Sequence, residues 1–132
     1  MALARVVLID DQEEVRRTVI STLNGNFDVV GTGENGAQAV ELATQLSPDA
    51  LILDIAMPVS NGIEAARRLR ELGSRVTIIF LTVHEDPDFV EAAFEAGGLA
   101  YVLKPFLATD LIPAISASLH GDPFVSASIH FN

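Results

Sequence analysis

Five short runs rich in Val, Ile and Leu, at residues 4–9, 27–31, 50–53, 76–81 and 100–103, recur along the chain with amphipathic segments between them. Each run is strand length. The intervening segments carry apolar residues at helical spacing, as in Val15, Val19 and Leu23 or Ala39, Val40, Ala43 and Leu46, with polar residues on the opposite face. The pattern is a strand followed by a helix, five times over. Strands that read as nearly continuous apolar runs are buried on both faces, which predicts a parallel sheet covered by helices on each side, a three-layer α/β sandwich. In such sheets ligands sit beyond the carboxyl ends of the strands.

Those ends carry the polar residues. The first run ends in Asp10-Asp11, the third in Asp54, the fourth in Thr82 and the fifth in Lys104-Pro105. Carboxylates brought into one crevice repel each other by roughly 4 kcal/mol per pair at 4 Å and an effective dielectric of 20, so they call for a cation. Oxygen ligands without His or Cys suit a hard ion, and an open octahedral site favours Mg²⁺ over Ca²⁺. A phosphoryl group supplies further oxygens. Lys104 is the sole lysine, the other seven basic residues being Arg. Phosphoryl transfer depends on charge placement, and an ammonium and a hydroxyl aimed at phosphoryl oxygens are the parts it uses, which fits Lys104 and Thr82. Asp54 is the central candidate for the nucleophile, because Ser or Cys needs an adjacent base and His84 is the one histidine near a strand tip.

Composition narrows the classes. The 132 residues, 49% of them apolar, suffice for one core. Eighteen acidic against eight basic side chains give a net charge of −10, which argues against direct nucleic-acid binding by this segment. The absence of cysteine excludes disulfides and thiolate metal sites. No apolar stretch approaches the roughly 18–20 residues needed to cross a bilayer, and no signal-type segment opens the chain; a cytoplasmic location is expected, with no membrane partner.

Taken together, Asp10-Asp11, the string LDIAMP around Asp54, Asn61-Gly62, FLTVHED around Thr82 and YVLKP ending in Lys104-Pro105 resemble a response regulator receiver domain of two-component signalling, from about Val6 to about Leu119. LTVHED, YVLK and the tail GDPFVSAS are most similar to receivers of the LuxR/NarL-type helix-turn-helix subfamily. The resemblance implies a flavodoxin-like fold with five parallel strands in the order 2-1-3-4-5 and five helices, a receiver over 1–120 and a tail or linker over 121–132. It also implies Asp54 as phosphoacceptor, with Mg²⁺ held by Asp54, directly by Asp11, through water by Asp10 and by the backbone carbonyl of Ala56. Thr82 and Lys104 then bind phosphoryl oxygens, Tyr101 is the switch aromatic paired with Thr82, and the Lys104-Pro105 bond is cis. The implied partners are a sensor histidine kinase, a second copy of the chain, and DNA only through a helix-turn-helix absent from this sequence; a stand-alone receiver or phosphorelay member is the alternative. Such a chain is a phosphoacceptor rather than an enzyme, its chemistry confined to its own phosphorylation and dephosphorylation.

Other readings of the same residues are weighed beside this one. Asp10-Asp11 can serve as a helix N-cap, Asn61-Gly62 and Met57-Pro58 as turns, and His84, His120 and His130 lack metal-ligand spacing. Gly98 is expected to weaken the helix before the fifth run by about 1 kcal/mol, and Pro113 to fall near the first turn of the last helix and delay its start. Gly31-Thr32-Gly33-Glu34-Asn35-Gly36 satisfies the dinucleotide pattern G-x-G-x-x-G between a strand and a helix, although it follows the second strand rather than the first. An aspartyl-phosphate hydrolase needs an acid two residues after its nucleophile, and Ala56 stands there.

Overall fold

The computed structural model describes residues 2–127 and 129. Strands β1 (Arg5–Ile9), β2 (Asp28–Gly33), β3 (Ala50–Leu53), β4 (Thr77–Thr82) and β5 (Gly98–Leu103) alternate with helices α1 (Glu13–Leu23), α2 (Gly36–Leu46), α3 (Gly62–Glu71), α4 (Pro87–Glu95) and α5 (Leu107–Leu119). All strands pair parallel in the order β2-β1-β3-β4-β5, as expected, and a two-residue strand β6 (Phe124–Val125) extends the sheet beyond β5. The sheet therefore has six strands rather than five. Among the described residues no helix is long and apolar enough to cross a membrane.

The alternation of each strand divides the core. Val7, Ile9, Leu51 and Leu53 pack with α2, α3 and α4 on one face. Val6, Leu8, Ala50 and Ile52 pack with α1 and α5 on the other. Both β1 and β3 are buried almost throughout, which is why they read as unbroken apolar runs.

Local chemistry sets the helix starts. Asn35 accepts a hydrogen bond from Gln38 N at 2.9 Å and Asn61 one from Glu64 N at 2.8 Å, so Asn61-Gly62 is a helix cap as much as a turn. Asp86 caps α4, with Pro87 as its first residue. Two expectations are corrected here. Gly98 opens β5 instead of weakening a helix; a Cβ there would lie 2.6 Å from Phe80 Cε2, so close packing requires its absence. Pro113 lies inside α5, which starts on time at Leu107. The hydrogen bond it forfeits is the one to Thr109, and both residues face solvent, where water satisfies the freed carbonyl.

The loop from β3 to α3 holds a strained residue. Val59 has φ of 75° and is 87% exposed, a left-handed conformation that costs an L-residue about 1–2 kcal/mol and suits a β-branched one poorly. Val59→Gly relieves that strain at the cost of some chain entropy. The expected outcome is a gain of about 0.5–1 kcal/mol, read as a higher urea midpoint at unchanged slope; a lower midpoint contradicts strain at this position.

Candidate functional site

Because the sheet is parallel, the carboxyl ends of β1, β3, β4 and β5 lie along one edge. Ile9 pairs with Leu53 and Thr82 with Leu103, so Asp10 and Asp54 emerge side by side, and Thr82 emerges beside the residue preceding Lys104. Backbone bonds fix the two aspartates: Asp10 N donates to Gly33 O at 3.0 Å and Asp54 N to Ile9 O at 3.1 Å. Asp10 and Asp54 are buried, Asp11 is exposed, and oxygens from all three carboxylates lie within 4.8 Å of one another.

Lys104 closes this cluster. Its Nζ is 2.9 Å from Asp10 Oδ2 and 3.0 Å from Asp54 Oδ2, and it donates to Gln12 Oε1 at 3.2 Å. Burial acts against the ammonium, but the Asp10 and Asp54 carboxylates outweigh it and raise Lys104 above the ordinary lysine value. Asp10 is pushed above the ordinary carboxylate value, chiefly by burial, while Lys104 and the Gln12 N–H pull the other way. The two shifts are compatible, since one ammonium is shared between two buried carboxylates and leaves negative charge in excess. Asp10 Oδ2 touches the ammonium without an aligned hydrogen bond, a buried oxygen still short of a partner. An oxygen-only donor set with surplus negative charge and an under-satisfied oxygen fits a hard divalent cation such as Mg²⁺.

The alternative roles fare differently. The N-cap of α1 is Gln12 without a side-chain bond, so Asp10 and Asp11 do not cap it; Asp10 Oδ1 instead accepts from Gln12 N at 2.9 Å. Asp54 Oδ1 accepts from Ile55 N at 2.7 Å. Ala56 lies in the exposed loop just beyond. The buried Thr82 hydroxyl accepts, at 3.5 Å, from the N–H of His84. The Lys104-Pro105 bond is trans, since no cis bond occurs among the described residues; Lys104 opens a short 3₁₀ turn (Lys104–Phe106), and its long side chain reaches both carboxylates from there.

Tyr101 is fully buried, and its phenol donates to His84 O at 2.8 Å, tying β5 to the loop after Thr82. The His84 ring stacks on Phe89 of α4 at 4.6 Å. His120 Nδ1 lies 2.7 Å from Ser116 O, a local helix-end contact, and His130 lies outside the described residues. Burial first, then Asp54 and Asp86, push the Tyr101 phenol above its ordinary 10.0. The fold thus favours the neutral phenol, so this contribution is intact below pH 10 and is lost as pH climbs beyond it. With one Tyr and no Trp in the chain, ultraviolet absorbance follows this residue alone; ionisation should be delayed past the free-phenol range and coincide with unfolding, whereas titration at the free value contradicts burial.

The glycine-rich segment forms no phosphate cradle. Gly31 and Gly33 lie within β2, where a Cβ would meet Leu46 Cδ1 at 2.9 Å and Ile9 Cδ1 at 2.8 Å, and at Gly36 it would meet Ser60 Oγ at 2.2 Å. These glycines serve side-chain packing, and the Glu34 N–H is taken by Gln38 Oε1 at 2.6 Å. Sequence reasoning missed Gln12 altogether, and it read Gly62 as part of a motif and a turn without its packing role. Gln12 contacts Lys104 across the sheet edge, and no spacing rule announces it. Gly62 brings α3 against the site, for a Cβ there would fall 1.9 Å from the Asp54 carbonyl oxygen.

Comparisons with known proteins show the family. The family model described as response regulator receiver domain matches residues 6–116. The transcriptional regulatory protein LiaR of Bacillus subtilis is 39% identical over 128 residues, covering 95% of the chain and 60% of LiaR. DegU of Brevibacillus brevis is 34% identical over 97% of the chain and 55% of its own length. The chemotaxis protein CheY of Bacillus subtilis is 34% identical over 88% of the chain and 98% of CheY. Thus the chain spans little more than half of the two transcriptional regulators and nearly all of CheY. Among solved structures, a two-component response regulator of the LuxR family from Aurantimonas superposes with a TM-score of 0.91 at 32% identity, over 97% of this chain and 93% of that one.

Proposed function

Since the chain belongs to the response regulator receiver domain family, we propose that it is a phosphorylation switch in which Asp54 accepts a phosphoryl group from the phosphohistidine of a sensor histidine kinase. The observation that carries this reading is the cluster of three carboxylates, two of which, Asp10 and Asp54, meet the ammonium of Lys104 at 2.9 and 3.0 Å. Asp54 Oδ1 accepts from the Ile55 N–H and Oδ2 from Lys104, and in this reading Oδ2, on the side of the ammonium that meets the phosphoryl oxygens, is the attacking oxygen. A new O–P bond forms there as the P–N bond of the phosphohistidine breaks, and the imidazole departs with the electron pair and takes up a proton. Asp10, Asp11, Asp54 and the Ala56 carbonyl are the proposed holders of Mg²⁺, which when bound neutralises charge on the transferring phosphoryl oxygens. Lys104 supplies fixed positive charge to the same oxygens. Thr82 turns its hydroxyl to the new phosphoryl group, the His84 loop follows, and the Tyr101 phenol loses its acceptor. This biases a two-state surface built from α4, β5 and α5.

In this reading the chain is a phosphoacceptor in the cytoplasm rather than a turnover enzyme. Its output is control of transcription, the role that the names of LiaR and DegU state for those proteins, exerted in this reading through an attached DNA-binding domain. A second reading, action through protein contacts alone, draws on the similarity to the chemotaxis protein CheY; reading the gene past Asn132 separates the two. The test of the chemistry is acetyl phosphate with Mg²⁺, followed by borohydride reduction and peptide mapping. The expected adduct maps to Asp54 and is abolished by EDTA, whereas an adduct elsewhere overturns the assignment.

A further inference from the structure

The tip of β5 is held by a hydrogen-bond chain that the phosphoryl chemistry does not use. Leu103, the residue before Lys104, donates its buried N–H to Ser126 Oγ at 3.0 Å. That hydroxyl donates to Asp110 Oδ2 of α5 at 2.8 Å, and the Ser126 N–H donates to Tyr101 O at 3.0 Å. Ser126 itself is 1% exposed. It therefore replaces a neighbouring strand at the point where β6 stops, accepting from one β5 residue and donating to another two positions earlier. Just beyond it, Ile129 N donates to Ser126 O at 3.2 Å, and Ile129 is buried in the same cluster as Tyr101. Val125, paired with Tyr101, packs on that cluster as well. Tyr101, expected to sense a phosphoryl group, and Leu103, which directly precedes the expected phosphoryl-binding Lys104, are thus hydrogen-bonded to the same serine.

We propose that Ser126, oriented by Asp110, is a positioning residue for Lys104 and Tyr101, so that the placement of the C-terminal segment and the geometry of the Asp54 site are coupled. The functional meaning of the proposal rests on the reading of Asp54 and Lys104 given above, but the coupling itself is a property of the unphosphorylated chain. By linkage it acts in both directions: whatever pulls on the segment after Val125 shifts Lys104, and whatever displaces Tyr101 loosens the segment. A bond that only staples the edge protects the Leu103 amide and does nothing more.

The test compares the full chain with Ser126→Ala and Ser126→Thr, using the single lysine and the single tyrosine as reporters. Amide exchange at Leu103, the rate of Lys104 modification by an amine acylating reagent read from its peptide mass, and acrylamide quenching of Tyr101 fluorescence are all measured without phosphorylation. Ser126→Ala should accelerate Leu103 exchange about tenfold, raise Lys104 reactivity several-fold and make Tyr101 more quenchable, and Ser126→Thr, which keeps the hydroxyl, should restore all three. Faster Leu103 exchange with Lys104 and Tyr101 unchanged overturns the proposal and leaves a staple. If Ser126→Ala does not fold, Asp110→Ala serves instead: it keeps the serine and removes its acceptor, and should give smaller shifts in the same three signals, their absence at Lys104 and Tyr101 again being decisive. None of these readouts needs Asp54 to accept a phosphoryl group, so failure of the acceptor assignment and failure of the coupling are separate results.

Discussion

Incubated with acetyl phosphate and Mg²⁺, the parent chain should gain about 80 Da, the mass of one phosphoryl group, and Asp54→Asn should gain nothing. The effect is expected to be complete rather than partial, because an amide oxygen in the same place is far less nucleophilic than a carboxylate and no Ser or Cys stands in the cluster to take its place. The neighbouring carboxylates do not substitute. Asp10 is turned into its own turn, its Oδ1 accepting from Gln12 N at 2.9 Å. Asp11 is exposed and carries no fixed partner of the kind that Ile55 and Lys104 give Asp54. The substitution also removes one negative charge from a crowded cluster, so the variant should be no less stable than the parent, and a folded protein that fails to label is then a clean result. Labelling of Asp54→Asn at the parental rate would sink the acceptor assignment. Labelling at a reduced rate on Asp10 or Asp11 would show that the cluster activates phosphoryl donors without selecting the acceptor.

Much of this arrangement was legible before any coordinates. Strands buried on both faces announce themselves as apolar runs, and a parallel sheet puts every strand tip on one edge, so Asp10, Asp54, Thr82 and Lys104 could be brought together from their positions alone. What escaped the sequence was of another kind. Gly98 and Gly62 look like flexible points, yet each is small because Phe80 or the Asp54 carbonyl occupies the space of a side chain. Their reason is tertiary and leaves no local mark. Pro113 looks like a helix breaker, and it sits, with Thr109 one turn before it, on the exposed side of α5, where a missing donor costs least. Residues 124–126 lack the length and alternation of a strand, and β6 forms because the edge of β5 and a buried serine give its backbone partners. Gln12 reaches Lys104 across an interval of 92 positions, which no spacing rule covers.

Replacing the one lysine tests the charge balance of the site apart from its chemistry. Lys104→Ala removes the only ammonium from two carboxylates whose side chains are 2% and 5% exposed. Breaking a buried pair by deleting one partner typically costs about 3–5 kcal/mol, because the remaining charge is left uncompensated. Here the lower end, about 3 kcal/mol, is expected, since Asp10 already sits above the ordinary carboxylate value and can take up a proton once the ammonium is gone. The loss should therefore depend on pH. It is largest where the freed carboxylates are ionised, near neutrality, and it shrinks as pH falls through the raised Asp10 value and neutralises that group. It should also depend on Mg²⁺. If the three aspartates hold the ion, metal stabilises both proteins, but the variant, with no ammonium competing for the carboxylates, binds it more tightly and gains more, so its urea midpoint should lie closer to the parent's in Mg²⁺ than in EDTA. With metal present the variant still has its nucleophile and should label slowly, yet the Tyr101 fluorescence change expected on labelling of the parent should be missing, because no ammonium remains to draw the phosphoryl group and Thr82 into the switched arrangement. Equal stability of variant and parent in EDTA contradicts the view that Lys104 balances these carboxylates, and a normal Tyr101 response in a fully labelled Lys104→Ala contradicts its part in the switch.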